Sequence, residues 1–215
     1  MEKERKEEKK KKGVLYIVST PIGNDDDITL RALDVLKKSD IVICEEAKVG
    51  ARTLKKYNLS QRMELLNEQN EQEMTIEIMK YLREGKRISL ISDCGTPVFA
   101  DPGKMLVKAA LQTDDVEMIV VPGVTSIMTA LVRSGFDIEQ FLYAGFLDRD
   151  RQVRFNEIKQ LRDEPRTVVL LETPYRLMPV LEAFKHLMPE RNAYIGCNLT
   201  MKVETHQYGS FEELY

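Results

Sequence analysis

The sequence is poor in the side chains that form cross-links and metal centres. It has three cysteines, which are far apart and lack Cys-x-x-Cys spacing, and only two histidines (Cys44, Cys94, Cys197, His186 and His206). A disulfide framework and a structural zinc site both require closer spacing, so we expect no disulfide and no metal. We interpret the cysteines as small buried hydrophobic side chains in a protein of the reducing cytoplasm.

Long apolar runs and several nucleotide- or hydrolase-type motifs are also missing. No apolar run approaches the roughly 20 residues that span a bilayer, so we expect no membrane partner. The sequence contains no Gly-x-x-x-x-Gly-Lys-Ser/Thr phosphate loop, no Gly-x-Ser-x-Gly elbow, no His-Glu-x-x-His pair and no Gly-x-Gly-x-x-Gly turn. These absences argue against nucleoside triphosphatases, serine esterases, zinc proteases and ordinary dinucleotide-binding enzymes.

Acidic residues outnumber basic residues beyond the first twelve positions. Residues 1–12 carry seven of the 32 Lys and Arg residues and four of the 35 Asp and Glu residues, which leaves a net charge of −6 for the remainder. This segment lacks the apolar stretch of a secretory signal, so we predict a solvated, disordered tail. A protein that binds nucleic acid mainly through its phosphates is usually basic, so any such role here must depend on a local patch or on a partner.

Short runs rich in Val and Ile alternate with segments of helical period, a pattern typical of βαβ units around a parallel sheet. Strands are predicted near 14–18, 41–44, 63–66, 88–92, 117–121, 141–146, 167–171, 193–197 and 204–208. The helix predicted over 71–84 has the clearest apolar stripe, formed by Met74, Ile78, Tyr81 and Leu82. We predict an α/β fold with two domains: residues 13–121 contain a mostly parallel sheet, and residues 122–215 contain a mixed sheet.

Three clusters of turn-forming residues each follow a predicted strand. They are Thr-Pro-Ile-Gly-Asn at 20–24, Ser-Asp-Cys-Gly-Thr-Pro-Val-Phe-Ala-Asp-Pro-Gly at 92–103 and Pro-Gly-Val-Thr-Ser at 122–126. In an open α/β sheet, ligands bind beyond the carboxyl ends of the strands, where glycine lets the backbone approach and the next helix offers free N–H groups. The repetition therefore predicts one ligand pocket lined by several turns.

Local chemistry offers a second interpretation of the same turns. Asn24, or one of the aspartates at 25–27, can cap the helix that follows the first turn. In the second turn, glycine permits backbone conformations that other residues resist and proline stiffens the loop, which would lower the entropic cost of binding a planar ligand. The hydroxyls of Thr125 and Ser126 are either helix caps or ligand contacts.

Several of these segments together resemble a known family. They are Thr20-Pro-Ile-Gly-Asn, Ser92-Asp-Cys-Gly-Thr-Pro, Asp101-Pro-Gly, Val121-Pro-Gly, Ser134-Gly and Gly145-Phe-Leu. The sequence is similar to the tetrapyrrole methylase superfamily and, within it, to the ribosomal RNA small subunit methyltransferase I family. The similarity runs in order from about Gly13 to Leu214.

The resemblance implies a two-domain α/β methyltransferase that holds S-adenosyl-L-methionine between its domains, usually as a homodimer. Members that act on ribosomal RNA methylate the ribose 2′-hydroxyl of a cytidine in small-subunit RNA, so the implied partner is ribosomal RNA or the small ribosomal subunit. The residues that match the cofactor site of the family are Pro21, Gly23, Ser92, Asp93, Gly95, Thr96, Val98, Thr125 and Ser126.

The sequence departs from the family on the side that faces the substrate. The family's Glu-Asp-Thr-Arg is Glu45-Glu-Ala-Lys here, its Gly-Phe-Leu-Pro-Arg-Lys is Gly145-Phe-Leu-Asp-Arg-Asp, and its Glu-Ser-Pro-His-Arg is Glu172-Thr-Pro-Tyr-Arg. We expect Arg149, Arg154 and Arg176 to bind substrate. The expected catalytic residues are Glu45, Glu46 and Glu172, any of which could activate the nucleophile, with Lys48 orienting a carboxylate or a phosphate.

Three alternatives stay open at this point. The carboxylates at 45, 46 and 172 could be solvated surface charges or helix caps. The methyl acceptor could be a tetrapyrrole or another small molecule, which suits the negative charge of the chain. The chain could also be a binding protein that retains S-adenosyl-L-methionine as a ligand after its catalysis has lapsed.

Overall fold

A computed structural model describes residues 11–215 of the chain. The predicted tail therefore lies mostly outside the described residues, and Lys11 and Lys12 are exposed. The chain divides into two compact units, of which the first ends at Val124 and the second spans Thr125–Tyr215. This division falls close to the boundary predicted at Pro122-Gly123.

The first unit is built on a five-stranded sheet with the strand order β3-β2-β4-β1-β5. The strands are β1 (Gly13–Val18), β2 (Ile41–Cys44), β3 (Arg62–Leu65), β4 (Arg87–Ile91) and β5 (Val116–Val121). Every neighbouring pair is parallel, as the sequence predicted. The carboxyl ends of all five strands therefore lie along one edge of the sheet, where ligands bind in folds of this class.

Helices cover both faces of this sheet, namely α1 (Leu30–Lys38), α2 (Ala47–Lys56), α3 (Glu71–Arg83) and α4 (Lys104–Leu111). Strand β2 illustrates the consequence, because all four of its residues are buried. Its alternate side chains enter two different hydrophobic clusters: Ile41 and Ile43 join one, and Val42 and Cys44 join the other. Burial on both faces explains why β2 is a continuous apolar run rather than an alternating one.

The start of α1 differs from the sequence prediction. Asn24 does cap a helix, but it is a short 3-10 helix of three residues, Asp25–Asp27, and the Asn24 side chain accepts a hydrogen bond from the N–H of Asp26. Helix α1 begins later, and its cap is Thr29, whose side chain accepts from the N–H of Ala32. The three consecutive aspartates separate the two caps.

The second unit contains two short sheets and four helices. In chain order they are α5 (Ser126–Ser134), β6 (Phe141–Gly145), α6 (Arg151–Leu161), β7 (Thr167–Leu170), α7 (Pro174–Leu187), β8 (Asn192–Cys197), β9 (Thr205–Ser210) and α8 (Phe211–Leu214). Strands β6 and β7 pair in parallel, and β8 and β9 form an antiparallel hairpin. Both kinds of pairing expected of a mixed sheet are present, but they form separate ladders.

The core of the second unit is a single hydrophobic cluster around α6, α7 and α8, formed by Leu147, Ile158, Val180, Leu181, Phe184, Met188 and Phe211. Within it the rings of Phe184 and Phe211 stack with their centroids 4.5 Å apart. In residues 11–215, no helix is both long and apolar enough to cross a membrane.

Candidate functional site

The loops that follow β1 and β4 are tied together at the carboxyl edge of the sheet. The N–H of Thr20 donates to the carbonyl of Gly95 at 2.8 Å, and the Thr20 hydroxyl donates to the carbonyl of Ser92 at 3.0 Å. The hydroxyls of Ser19 and Thr96 are 3.0 Å apart. Because β1 and β4 are neighbours in the sheet, these bonds fix the first two predicted turns against each other.

Close packing at two glycines brings the third turn to the same place. A Cβ at Gly123 would lie 2.8 Å from the Cβ of Ser19, so only glycine fits at this contact. Gly95 has a φ of +86°, and a Cβ there would lie 3.3 Å from the Cγ2 of Ile22. Pro21 and Gly23, which flank Ile22, are half-buried beside this contact.

The loop between β4 and α4 is fixed at its far end as well. Gly103 occupies the N-cap of α4 with a left-handed backbone and has no side chain to cap the helix. The Oε1 atom of Glu71, at the start of α3, accepts hydrogen bonds from the N–H groups of Gly103 at 2.8 Å and Met105 at 3.0 Å. Between the two anchored ends, Val98 has a φ of 71°, a strained conformation for a β-branched residue.

Carboxylates surround a pocket of about 360 Å³ at the same edge of the sheet. We call it the acidic pocket; its lining residues follow the ends of β2, β3 and β4 and are Glu45, Glu46, Asn67, Glu68, Gln69 and Asp93. Burial raises the pKa of the Glu45 carboxyl, and repulsion from Asp101, Asp93, Glu68 and Glu46 raises it further. The pocket therefore favours a cation or a proton over an anion.

Asp93 is the least satisfied member of the acidic pocket. Burial raises its pKa, as does repulsion from Glu46 and Asp101, although a hydrogen bond from the backbone N–H of Glu46 opposes this effect. Its Oδ1 atom is buried and accepts no hydrogen bond from the described residues. A buried, unpaired carboxylate oxygen of this kind is costly for a folded chain and suits a ligand that donates to it.

Lys48 lies apart from these contacts. It is an exposed residue in the first turn of α2, and within residues 11–215 it forms no ion pair with Glu45 or Glu46. Its expected orienting role therefore stays a prediction.

The predicted substrate residues of the second unit surround a pocket of about 350 Å³. We call it the basic pocket; it is lined by Arg149, Arg154, Tyr175, Arg176 and Pro179. The structure thus brings together all three arginines that the sequence assigned to the substrate.

Two of these arginines are held by contacts with the chain itself. Arg176 forms an ion pair with Glu172 at 3.2 Å and donates to the carbonyl of Leu147 at 2.6 Å. Arg154 donates to the carbonyls of Asp148 at 3.2 Å and Arg149 at 3.1 Å. Their guanidinium groups are therefore fixed before any ligand binds.

Two aspartates, Asp148 and Asp150, shape the loop beside this pocket. The Oδ1 atom of Asp148 accepts from the N–H of Asp150 at 2.7 Å. Asp150 caps α6, because its Oδ1 atom accepts from the N–H groups of Gln152 and Val153. These carboxylates stabilise a turn and a helix start, which explains their presence next to three arginines.

Glu172 and the start of α5 complete the predicted set. The Oε1 atom of Glu172 accepts from the N–H of Thr173 at 2.7 Å as well as pairing with Arg176, while its Oε2 atom is buried without a hydrogen-bond partner among the described residues. Thr125 occupies the N-cap of α5, yet its hydroxyl makes no capping bond. Ser126 is the first residue of that helix and is half-buried.

Sequence reasoning assigned no individual role to Glu71, Tyr175 or residues 67–69, although all of them lie in segments that resemble substrate-side motifs of the family. A Glu at the first position of an amphipathic helix signals only a favourable helix start. Its long-range bond to α4 depends on the packing of α3 beside α4. Residues 67–69 reach the acidic pocket because β3 pairs with β2, which the chain order alone does not reveal.

Comparison with known proteins identifies the family. The profile of the family described as Tetrapyrrole (Corrin/Porphyrin) Methylases matches residues 14–215. The chain belongs to the tetrapyrrole methylase family. This confirms the family and the fold class predicted from the sequence, and it places this tetrapyrrole methylase among methyltransferases.

Two curated relatives of this tetrapyrrole methylase carry the name Ribosomal RNA small subunit methyltransferase I. The one from Micromonospora olivasterospora is 37% identical over 202 residues, which is 94% of this chain and 64% of the relative. The one from Thermotoga maritima is 36% identical over 188 residues, which is 87% of this chain and 84% of the relative. The chain thus spans just under two thirds of the first relative.

Solved structures share the fold at lower identity. A diphthine synthase superposes with a TM-score of 0.74 and 16% identity, covering 94% of this chain and 84% of its own. The cobalamin biosynthetic enzyme cobalt precorrin-4 methyltransferase superposes with a TM-score of 0.69 and 19% identity, covering 94% and 87% respectively.

Proposed function

We propose that this tetrapyrrole methylase transfers a methyl group from S-adenosyl-L-methionine to small-subunit ribosomal RNA, with the 2′-hydroxyl of a cytidine ribose as acceptor. The observation that carries the proposal is the 36–37% identity to two relatives named for this RNA, over 87–94% of the chain. The homodimer that the resemblance implies and the cytoplasmic location expected from the cysteines are part of the same proposal.

The first unit suits a methyl donor that is a positively charged nucleoside. The acidic pocket favours a cation, and the orphan Oδ1 atom of Asp93 could accept from an ammonium group or a hydroxyl. Gly95 lets the backbone approach a flat base. The residues that would hold the donor here are Pro21, Gly23, Ser92, Asp93, Gly95, Thr96 and Val98, while Thr125 and Ser126 stay predicted contacts from the second unit.

The donor, when bound, supplies an already activated methyl group, so the chain has two tasks. The first is alignment of the acceptor, which can contribute about 7–11 kcal/mol to the lowering of a barrier. The second is removal of the hydroxyl proton, which typically contributes about 10²–10⁴-fold. Alignment is therefore the larger demand on the structure.

Glu45 is the best candidate for removing the proton from the hydroxyl. Its pKa is raised by burial and by four neighbouring carboxylates, which makes it a stronger base than an ordinary Glu. Glu46 is more exposed, and its backbone N–H already binds Asp93. Glu172 is bound to Arg176 and Thr173, so we assign it to orienting Arg176 rather than to proton transfer.

The basic pocket is the candidate contact for the RNA backbone. A guanidinium offers a planar set of donors that matches a phosphate, and Arg154 and Arg176 are already oriented by carbonyls of the chain. This gives an otherwise acidic protein the local positive patch that an RNA-binding role requires.

The test is methyl incorporation from labelled S-adenosyl-L-methionine into small ribosomal subunits that lack the modification. We expect incorporation into the subunit, inhibition by S-adenosyl-L-homocysteine, and a large loss of rate in Glu45→Gln but not in Glu46→Gln. Donor binding by calorimetry without incorporation into any acceptor would favour the lapsed binding protein. Incorporation into a tetrapyrrole instead would favour the small-molecule enzyme.

A further inference from the structure

Tyr175 is conspicuous because it lines the basic pocket without supporting the fold. The residue is 75% exposed, although it lies in the first turn of the long helix α7. The hydrophobic cluster of the second unit is formed by other side chains of this helix, such as Val180, Leu181 and Phe184. An aromatic ring held outside the core beside arginines is available to a ligand.

Pro179 lines the basic pocket together with Tyr175. It lies four residues after Tyr175, so both residues are on the same face of α7, and both line the pocket. Proline has no N–H, so the carbonyl of Tyr175 lacks its usual helical donor. A ring, a proline and a carbonyl without its helical bond thus lie together at one end of α7.

Arg149 supplies a positive charge that no other group in residues 11–215 pairs with. Arg154 and Arg176 are bound to carbonyls of residues 147–149, whereas within residues 11–215 the Arg149 side chain forms no hydrogen bond and no ion pair. The Oδ1 atoms of the nearby Asp148 and Asp150 accept hydrogen bonds from backbone N–H groups, and neither carboxylate forms an ion pair with Arg149 in the described residues. Arg149 is therefore an unpaired cation next to an exposed ring.

We propose that the basic pocket binds one unpaired nucleotide of the RNA, with its base stacked on the ring of Tyr175 and its phosphate on Arg149. This inference rests on the proposed function and deepens it, because it specifies single-stranded RNA and names a contact residue that the sequence did not. Aromatic rings stack on unpaired bases of any sequence, and arginines hold the backbone, which is the usual chemistry of single-strand binding.

The absence of tryptophan from the chain provides a direct test. In Tyr175→Trp the new indole is the sole tryptophan, so a stacked base should quench its emission. The probes are a cytidine RNA hexamer and an abasic hexamer with the same number of phosphates. We expect quenching by the first and not by the second. Tyr215→Trp, at an exposed tyrosine that does not line the pocket, is the matched control and should respond to neither.

Affinity measurements complete the test. Tyr175→Ala should weaken binding of the cytidine hexamer by roughly 5- to 150-fold, the range that corresponds to about 1–3 kcal/mol for one stacked base. Tyr175→Phe should keep most of the affinity, because it keeps the ring. Circular dichroism should show both variants folded.

Three results of the binding experiments would overturn the inference. They are equal quenching by the abasic hexamer, no binding of the cytidine hexamer up to millimolar concentration, and tighter binding of a porphyrin tetracarboxylate that is lost in Tyr175→Ala. The experiment needs no methyl donor, so it separates the two proposals. Stacking without methyl incorporation would overturn only the proposed function, and incorporation that is unchanged in Tyr175→Ala would overturn only the stacking role.

Discussion

The acidic pocket of the first unit and the basic pocket of the second unit differ in how far their charged side chains are compensated by the rest of the chain. In the acidic pocket, carboxylates repel one another, and burial together with this repulsion raises the pKa values of Glu45 and Asp93. In the basic pocket, Arg154 and Arg176 are neutralised or hydrogen-bonded by the chain itself. The first pocket is thus destabilised until a cation or proton enters, whereas the second is already organised.

The largest expected effect is the removal of the charge that organises the basic pocket. The side chains of Arg176 and Glu172 are only 15% and 11% exposed, so Glu172→Gln leaves a nearly buried guanidinium without its ion pair. We expect the free energy of unfolding, measured by urea denaturation, to fall by about 3 kcal/mol.

The control for this prediction is an exposed pair in the same unit. Arg162 and Asp163 are 57% and 81% exposed, so Asp163→Asn should change the free energy of unfolding by less than about 1 kcal/mol. Similar losses in both variants would mean that the ion pair of Glu172 does not organise the pocket.

The second prediction concerns the glycine that links the first two loops of the first unit. Gly95→Ala imposes a side chain on a φ of +86° and crowds Ile22. We expect the Kd for S-adenosyl-L-methionine, measured by calorimetry, to rise roughly tenfold, which is about 1.4 kcal/mol.

Gly135 provides the matched control for this substitution. It has a φ of +72°, but a Cβ there would meet nothing within 4 Å. Gly135→Ala should therefore lower stability through the same backbone strain and leave the affinity for S-adenosyl-L-methionine unchanged. A loss of donor affinity in both variants would point to a general effect of destabilisation.

The third prediction concerns the unpaired cation of the basic pocket. Arg149→Gln removes one phosphate contact, so the slope of the logarithm of RNA affinity against the logarithm of salt concentration should become shallower by about 0.7. Arg151→Gln, an exposed arginine that does not line the pocket, should keep the slope of the unmodified protein. An unchanged slope in Arg149→Gln would remove this residue from the RNA contact.

The smallest effect should be a gain in stability in the acidic pocket. The raised pKa of Asp93 means that the fold disfavours its ionised form, so its stability contribution is complete below the unfolded pKa of about 4 and is lost as pH rises through the folded value. Asp93→Asn removes the ionisable group and with it the loss of stability at higher pH. The variant should therefore resist urea better than the unmodified protein at neutral pH, and the difference should vanish below about pH 4.

The exposed carboxylate of Asp114 gives the control, because Asp114→Asn should reproduce the pH profile of the unmodified protein. In the second unit, stability depends on pH with the opposite sign. Hydrogen bonds lower the pKa values of Glu204 and Glu213, so their contribution to stability is lost as pH falls. A gain for Asp93→Asn that persists in acid would contradict the assigned cause.

The parts of the fold that depend on local pattern could be predicted from the sequence. Strand β2 was predicted at its observed bounds because burial on both faces makes its run continuously apolar. The apolar stripe predicted for α3 was also correct, because Ile78 and Leu82 are buried. The predicted cap of α1 was wrong. Three aspartates form a short helix of their own, and Thr29, which follows them, caps α1.

The parts of the site that depend on strand order could not be predicted. The sequence placed Glu45 and Asp93 in separate roles, and only the pairing of β2 with β4 brings their loops to one pocket. Asp148 and Asp150 were interpreted as departures from a substrate motif, yet their carboxylates form a turn and a helix cap. A residue can stabilise a turn or a helix start and still lie beside a ligand site.

The hydrogen bonds that Glu71 accepts from the start of α4 limit how the loop between β4 and α4 can respond to a ligand. Thr20 holds the loop near Ser92 and Gly95, and Glu71 holds it at Gly103. Only the short arch between these anchors, which includes the strained Val98, is left to adjust. Any movement on binding would therefore be a local flexing of a span fixed at both ends, and substitutions within that span could retune ligand preference without disturbing the sheet beneath it.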